Sequence, residues 1–125
     1  MKTLHLNLKK NWFDMILSGI KTEEYREIKP YWCTRFSTLP YDWCTDIELF
    51  KQQFIPHWTG FEQSFNYYDT ITFKNGYQKN APEMTIEFKG IDIGEAKPEW
   101  SDNWQGDVFR IKLGAVLSTN NLKTE

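Results

Sequence analysis

The chain has 125 residues, of which 40% are hydrophobic, 26% charged and 17% aromatic, and its formal charge is -2. That length suits one domain with one core, the aromatic content excludes a disordered chain, and the absence of any apolar run near about 18 residues excludes a membrane-spanning helix. Residues 1–51 carry eight Lys/Arg against seven Asp/Glu, and residues 52–125 carry seven against ten, so no basic stripe exists to hold duplex nucleic acid by its phosphates. Small molecules, single bases and short single strands stay open as ligands. The N-terminal MKTLHLNLKK lacks the apolar core of a secretory signal, so a cytoplasmic location is expected.

The chain opens on an alternating pattern. Leu4, Leu6 and Leu8 fall on one face and Thr3, His5 and Asn7 on the other, which predicts a half-buried strand. His5 reads as a hydrogen-bonded structural histidine. The period then changes: Leu8, Trp12, Met15 and Ile16 form a helical stripe, and Gly19 stands where a C-terminal capping glycine belongs. A helix is therefore predicted over 10–18, with a turn at 18–20. A second strand is predicted over 22–28, stopped by Pro30. It places Thr22, Glu24, Arg26 and Ile28 on one face and Glu23, Tyr25 and Glu27 on the other.

Residues 31–67 lack a strand pattern and are rich in aromatics, among them Trp32, Trp43, Trp58, Phe61 and Phe65. Thr45-x-x-Glu48 reads as a capping box, Ile47, Phe50 and Phe54 repeat at helical spacing, and Pro56 ends the pattern. This segment reads as an insertion with its own short helix, packed down by its aromatic rings. Cys33 and Cys44 lack CxxC spacing, and adding His57 makes only three soft ligands. They read as two reduced, partly buried thiols; no metal and no cofactor is expected.

Further on, residues 68–74 alternate with Ile71 and Phe73 inward, and Asn75-Gly76 is a hairpin turn signal. A long strand is predicted over 83–94, with Met84, Ile86 and Phe88 on one face and Gly90 shifting the phase so that Ile91 and Ile93 continue it, as in a bulge. The last strand is predicted over 107–113 with Phe109, Ile111 and Leu113 inward, and residues 118–125 read as a loose tail. Five or six strands with one early helix point to an α+β, mainly β domain spanning 1–125, a small bent sheet or partly closed barrel.

The informative segment is Gly19-x-Lys21-x-x-Glu24-x-Arg26. On one strand face, Glu24 and Arg26 stand about 7 Å apart at Cα. Arg offers a rigid donor fork and Glu offers acceptors, a combination that grips a nucleobase edge or an amide. Lys21 at the rim of such a site reaches a phosphate or takes part in acid–base chemistry.

This segment resembles the GxKxxExR signature of the ASCH family, a branch of the PUA-like superfamily. Lys9, Trp12 and Ile16 stand where members carry a lysine, an aromatic and an aliphatic, and MTIEFKGIDIG followed by VFRIKLG resembles the family's last barrel strands. The likeness covers roughly residues 3–30 and 68–114. It implies a PUA-like β-barrel with an aromatic-rich insertion at 31–67, and binding of RNA, a nucleotide or a nucleoside in a polar cleft. Lys9, Lys21, Glu24 and Arg26 are the ligand-binding residues it implies, with Lys9 at the border.

One branch of the family removes an acyl group from acetylcytidine using a Lys, a Thr and a Glu. Its Lys matches Lys21, its Thr falls on Glu24, and its Glu falls near Glu95 and Glu99. Lys21 and Glu24 are the catalytic residues of that alternative, a nucleoside amidohydrolase. A third reading makes the aromatic insertion a protein-interaction surface.

Overall fold

The computed structural model describes residues 2–53, 65–102, 104 and 106–122, with Gln53 described at its backbone only. Among them runs a mixed five-stranded sheet that is not closed. Its strands are β1 (Thr3–Asn7), β2 (Glu23–Arg26), β3 (Thr70–Lys74), β4 (Glu83–Glu95) and β5 (Asp107–Asn120), in the order β1-β3-β4-β5-β2. The helices are α1 (Lys10–Leu17), α2 (Pro30–Phe36), α3 (Tyr41–Thr45) and α4 (Ile47–Gln53), with a 3-10 turn at Pro98–Trp100. The α+β class is as expected; the sheet has two edges, β1 and β2, instead of a closed ring. No described helix is long and apolar enough to cross a membrane.

By internal contacts the chain divides into two compact units. The first takes its described residues from Met1–Glu24, Tyr67–Gly90 and Ile111–Glu125; the second takes them from Tyr25–Asn66 and Ile91–Arg110.

In the first unit β1 runs parallel to β3 with Leu4 opposite Ile71 and Leu6 opposite Phe73, and β3 runs antiparallel to β4 with Ile71 opposite Ile86 and Phe73 opposite Met84. Strand alternation puts these six side chains on one face, and all are buried. α1 adds Phe13 and Ile16 to the buried set. The opposite face is polar. Thr3 and Thr70 join hydroxyls at 2.9 Å, Thr72 and Thr85 at 3.0 Å, and exposed His5 stands across from Thr72. The Asn75-Gly76 pair does not make a two-residue hairpin. β3 and β4 are joined through residues 75–82, with the Asn75 N–H donating to the Pro82 carbonyl at 2.9 Å. Asn75 Nδ2 instead reaches the Leu8 carbonyl at 2.9 Å, tying the loop to the end of β1.

In the second unit, Tyr25, Ile28, Cys33, Phe36, Cys44, Phe50, Ile93, Val108 and Phe109 are buried. Phe109 meets Phe36 edge-on at 5.4 Å between centroids and Phe65 edge-on at 6.4 Å, the packing that the aromatic content of 31–67 implies. Among its described residues the insertion forms three short helices, α2, α3 and α4, where one was expected. The expected capping box at Thr45 is displaced by one residue: Asp46 Oδ1 accepts the Leu49 N–H at 3.1 Å, while the Thr45 hydroxyl turns back to the Asp42 carbonyl. A carboxylate satisfies an orphan N–H and favours the helix dipole, which a hydroxyl does only weakly. Phe54, Pro56, His57, Trp58 and Phe61 lie outside the described residues, as do residues 123–125 of the tail. β5 continues through Ser118, Thr119 and Asn120, part of the stretch expected to be loose.

Candidate functional site

α1 ends as its glycine requires. Ser18 is the C-cap and Gly19 has φ +86°, the left-handed conformation that a side chain resists. The Gly19 N–H donates to the Ile16 carbonyl at 3.1 Å, and the Lys21 N–H donates to the Met15 carbonyl at 3.1 Å. These bonds fold the chain back on the helix it has just left. Lys21 therefore returns to Trp12, nine positions earlier, and its Nζ sits 4.1 Å from the centre of the Trp12 ring. That distance is within the range of a cation–π contact.

The same Nζ lies 3.0 Å from Glu24 Oε1, and the two side chains are 1% and 5% exposed. Long charged side chains are almost never buried to this degree unless they are paired. β2 is held in place on one side by the Leu113 N–H donating to the Thr22 carbonyl at 3.0 Å, and by an ion pair between Glu23 and Lys112. Glu23 and Lys112 stay partly exposed, so Glu24 is the buried acid of this segment.

Glu24 and Tyr25, which alternation assigns to opposite faces of β2, are both buried. Tyr25 is buried with its hydroxyl accepting the Lys97 N–H at 3.2 Å. A tyrosine carries an apolar ring and a polar tip, so the ring can be buried while the tip keeps a hydrogen-bond partner.

Arg26 belongs to the second unit, whereas Lys21, Glu24 and Trp12 belong to the first. Its guanidinium is 5.2 Å from the Trp32 ring centre, and Nη1 donates to the Tyr25 carbonyl at 2.8 Å. Arg35 reaches the same indole, at 5.8 Å. Lys9 is exposed at the N-cap of α1, where its carbonyl accepts the Phe13 N–H at 3.0 Å. Thr22 is exposed. Glu95 closes β4 and Glu99 lies in the 3-10 turn, both exposed, and Glu95 offers its carbonyl to Arg110 at 3.5 Å.

The structure thus brings Lys21 and Glu24 together and adds Trp12 to them. The helical stripe contained Trp12 as an apolar residue; the signal that would have marked it as Lys21's partner was the glycine turn between them. Trp32 was legible only as one ring in an aromatic segment. Two described cavities lie elsewhere: one of about 290 Å³ bordered by Lys10, Phe13 and Asn75, and one of about 420 Å³ bordered by Tyr31, Arg35 and Tyr41. Among the described residues no group of three His, Cys, Asp or Glu side chains is placed to hold a metal ion. Comparison with known proteins found no matching family model, curated protein or solved structure.

Proposed function

We propose that the chain is a cytoplasmic, PUA-like module of the ASCH type that binds RNA or a modified nucleoside, with Lys21 and Glu24 as the recognising pair. The observation that supports this reading is a buried ion pair at 3.0 Å beneath a tryptophan ring. Desolvating two charges costs much of what their attraction returns, and apolar replacements often match or exceed such a pair in stability. A buried charged pair kept at such a cost is a candidate for a functional site. An ammonium so held donates to a carbonyl or phosphate oxygen, and the adjacent carboxylate accepts from an exocyclic amine. The ligand approaches from the side of Trp12, the half-buried member of the three.

The pairing favours a binding role over hydrolysis. Glu24 stands where the acyl-removing branch carries a hydroxyl, and Lys21 is engaged by a carboxylate instead of poised as a base. Fluorescence titration with cytidine, N4-acetylcytidine and a short single-stranded RNA tests the reading. At least one should change the tryptophan emission of the wild type. Trp12→Phe should lose that change, and Lys21→Met/Glu24→Leu, which keeps the volume and removes the charges, should lose binding. No response and no calorimetric heat with any of the three would overturn it.

A further inference from the structure

We propose that Cys33 and Cys44 form a reversible disulfide that staples α2 to α3, independent of the binding reading above. Their sulfurs lie 2.7 Å apart, well inside the contact distance of two non-bonded sulfurs, and a covalent S–S bond at about 2.0 Å needs only a small further approach. Cys33 and Cys44 are 0% and 1% exposed, so nothing else in solution competes for either sulfur while the fold is closed. The Ser37 hydroxyl is the third member of the cluster. It donates to the Cys33 carbonyl at 2.8 Å and lies 3.6 Å from the Cys44 sulfur and 3.9 Å from that of Cys33. Ser37 and the end of α2 thereby hold the two sulfurs face to face.

Burial pushes the Cys33 thiol well above its ordinary range, with the neighbouring Cys44 sulfur adding to the effect. Thiolate, the reactive form, is scarce in the closed state. Oxidation therefore proceeds through opening of α3, a helix of five residues whose N-cap, Pro40, supplies no side-chain hydrogen bond. The oxidant is a hydroperoxide. One sulfur, as thiolate, attacks the terminal peroxide oxygen; the O–O bond breaks, one molecule of water or alcohol leaves, and a sulfenic acid remains. The second sulfur attacks that sulfenyl sulfur; the S–S bond forms, the S–O bond breaks, and hydroxide departs with the second thiol's proton as water. Two electrons and two protons pass from the thiols to the peroxide, and a dithiol reductant reverses the change.

The test treats the full chain with hydrogen peroxide, unfolds it in denaturant with iodoacetamide and weighs it. The expected product has lost two hydrogens, takes up no alkyl group, and takes up two after dithiothreitol. Trypsin cleaves after Arg35 and separates the two cysteines, so the bridge appears as two peptides joined until reduction. The bridged chain should melt roughly 10 °C above the reduced one, because a cross-link over a short loop removes freedom from the unfolded state. Cys33→Ala and Cys44→Ala should each abolish that rise; the peptide readout on the wild type holds even where a variant folds poorly. Two alkylated thiols after peroxide, oxygen added to either sulfur in place of the bridge, a dimer between chains, or a bridged chain melting below the reduced one would overturn the proposal.

Discussion

Lys21 and Glu24, three positions apart, form a 3.0 Å ion pair that is almost wholly removed from water. Neither charge is tolerable there alone, so each residue's stability effect depends on the other. Lys21→Met and Glu24→Leu should each cost about 3–5 kcal/mol, because each removes one charge of a buried ion pair and leaves the other buried. The double substitution should cost far less than the two singles together, and urea unfolding of the four proteins of the cycle measures the difference. Additive losses would mean that the pair is wetter than its burial indicates.

Arg26 behaves differently. Its guanidinium is only partly buried and rests on Trp32, so Arg26→Ala should lower stability by no more than about 1 kcal/mol. As a contact to RNA from its own unit, Arg26 should contribute about 1–3 kcal/mol of binding, the worth of one forked contact. Calorimetry with a short single-stranded RNA, beside a thermal melt, separates the two effects, and unchanged affinity would show that Arg26 makes no contact to RNA.

The acidic net charge of -2 permits few phosphate contacts. The slope of log affinity against log salt for single-stranded RNA should be shallower than about -3, taking about 0.7 counterions per phosphate. A filter-binding series across salt concentrations measures it. A steeper slope would mean that the ligand is held mainly by its backbone.

On the proposed binding reading, wild-type protein should release no acetate from N4-acetylcytidine at any pH, because Glu24 holds Lys21 in an ion pair. Glu24→Thr should gain slow hydrolysis. Robust wild-type turnover that survives Lys21→Ala would defeat both the binding reading and the choice of Lys21.

The reduced thiols impose a pH dependence. Cys33 is raised from an ordinary value of 9.0 chiefly by burial. Above that pH the unfolded chain releases the Cys33 proton while the folded chain keeps it, so the unfolded state binds fewer protons and folding stability falls as pH rises. The fall attributable to Cys33 should approach about 1.4 kcal/mol per pH unit. Urea unfolding between pH 8 and 10.5 in reductant, on wild type and Cys33→Ala, isolates it as the difference in slope; equal slopes would show the thiol to be solvated.

By itself the sequence determined what depends on neighbours a few positions away. The alternation of Leu4 and Leu6 and of Ile71 and Phe73, and the glycine that ends α1, appear as read, because strand periods and turn residues are local properties. The buried stripe of α1 differs, with Phe13 buried beside Ile16 while Trp12 and Met15 are half-buried. Glycine tolerance of positive φ made the Gly19 turn legible, while the return of Lys21 to Trp12 across that turn came only from the structure. The tertiary structure alone decided the strand order β1-β3-β4-β5-β2, which pairs β1 with a strand more than sixty residues away. It also decided the burial of Lys21 and Glu24. From charge content β2 reads as a solvated surface strand, and only packing from distant parts of the chain removes the water from it. The cysteines make the same point: eleven positions apart and unremarkable in spacing, they touch because two short helices turn back on each other, a geometry that no local window contains.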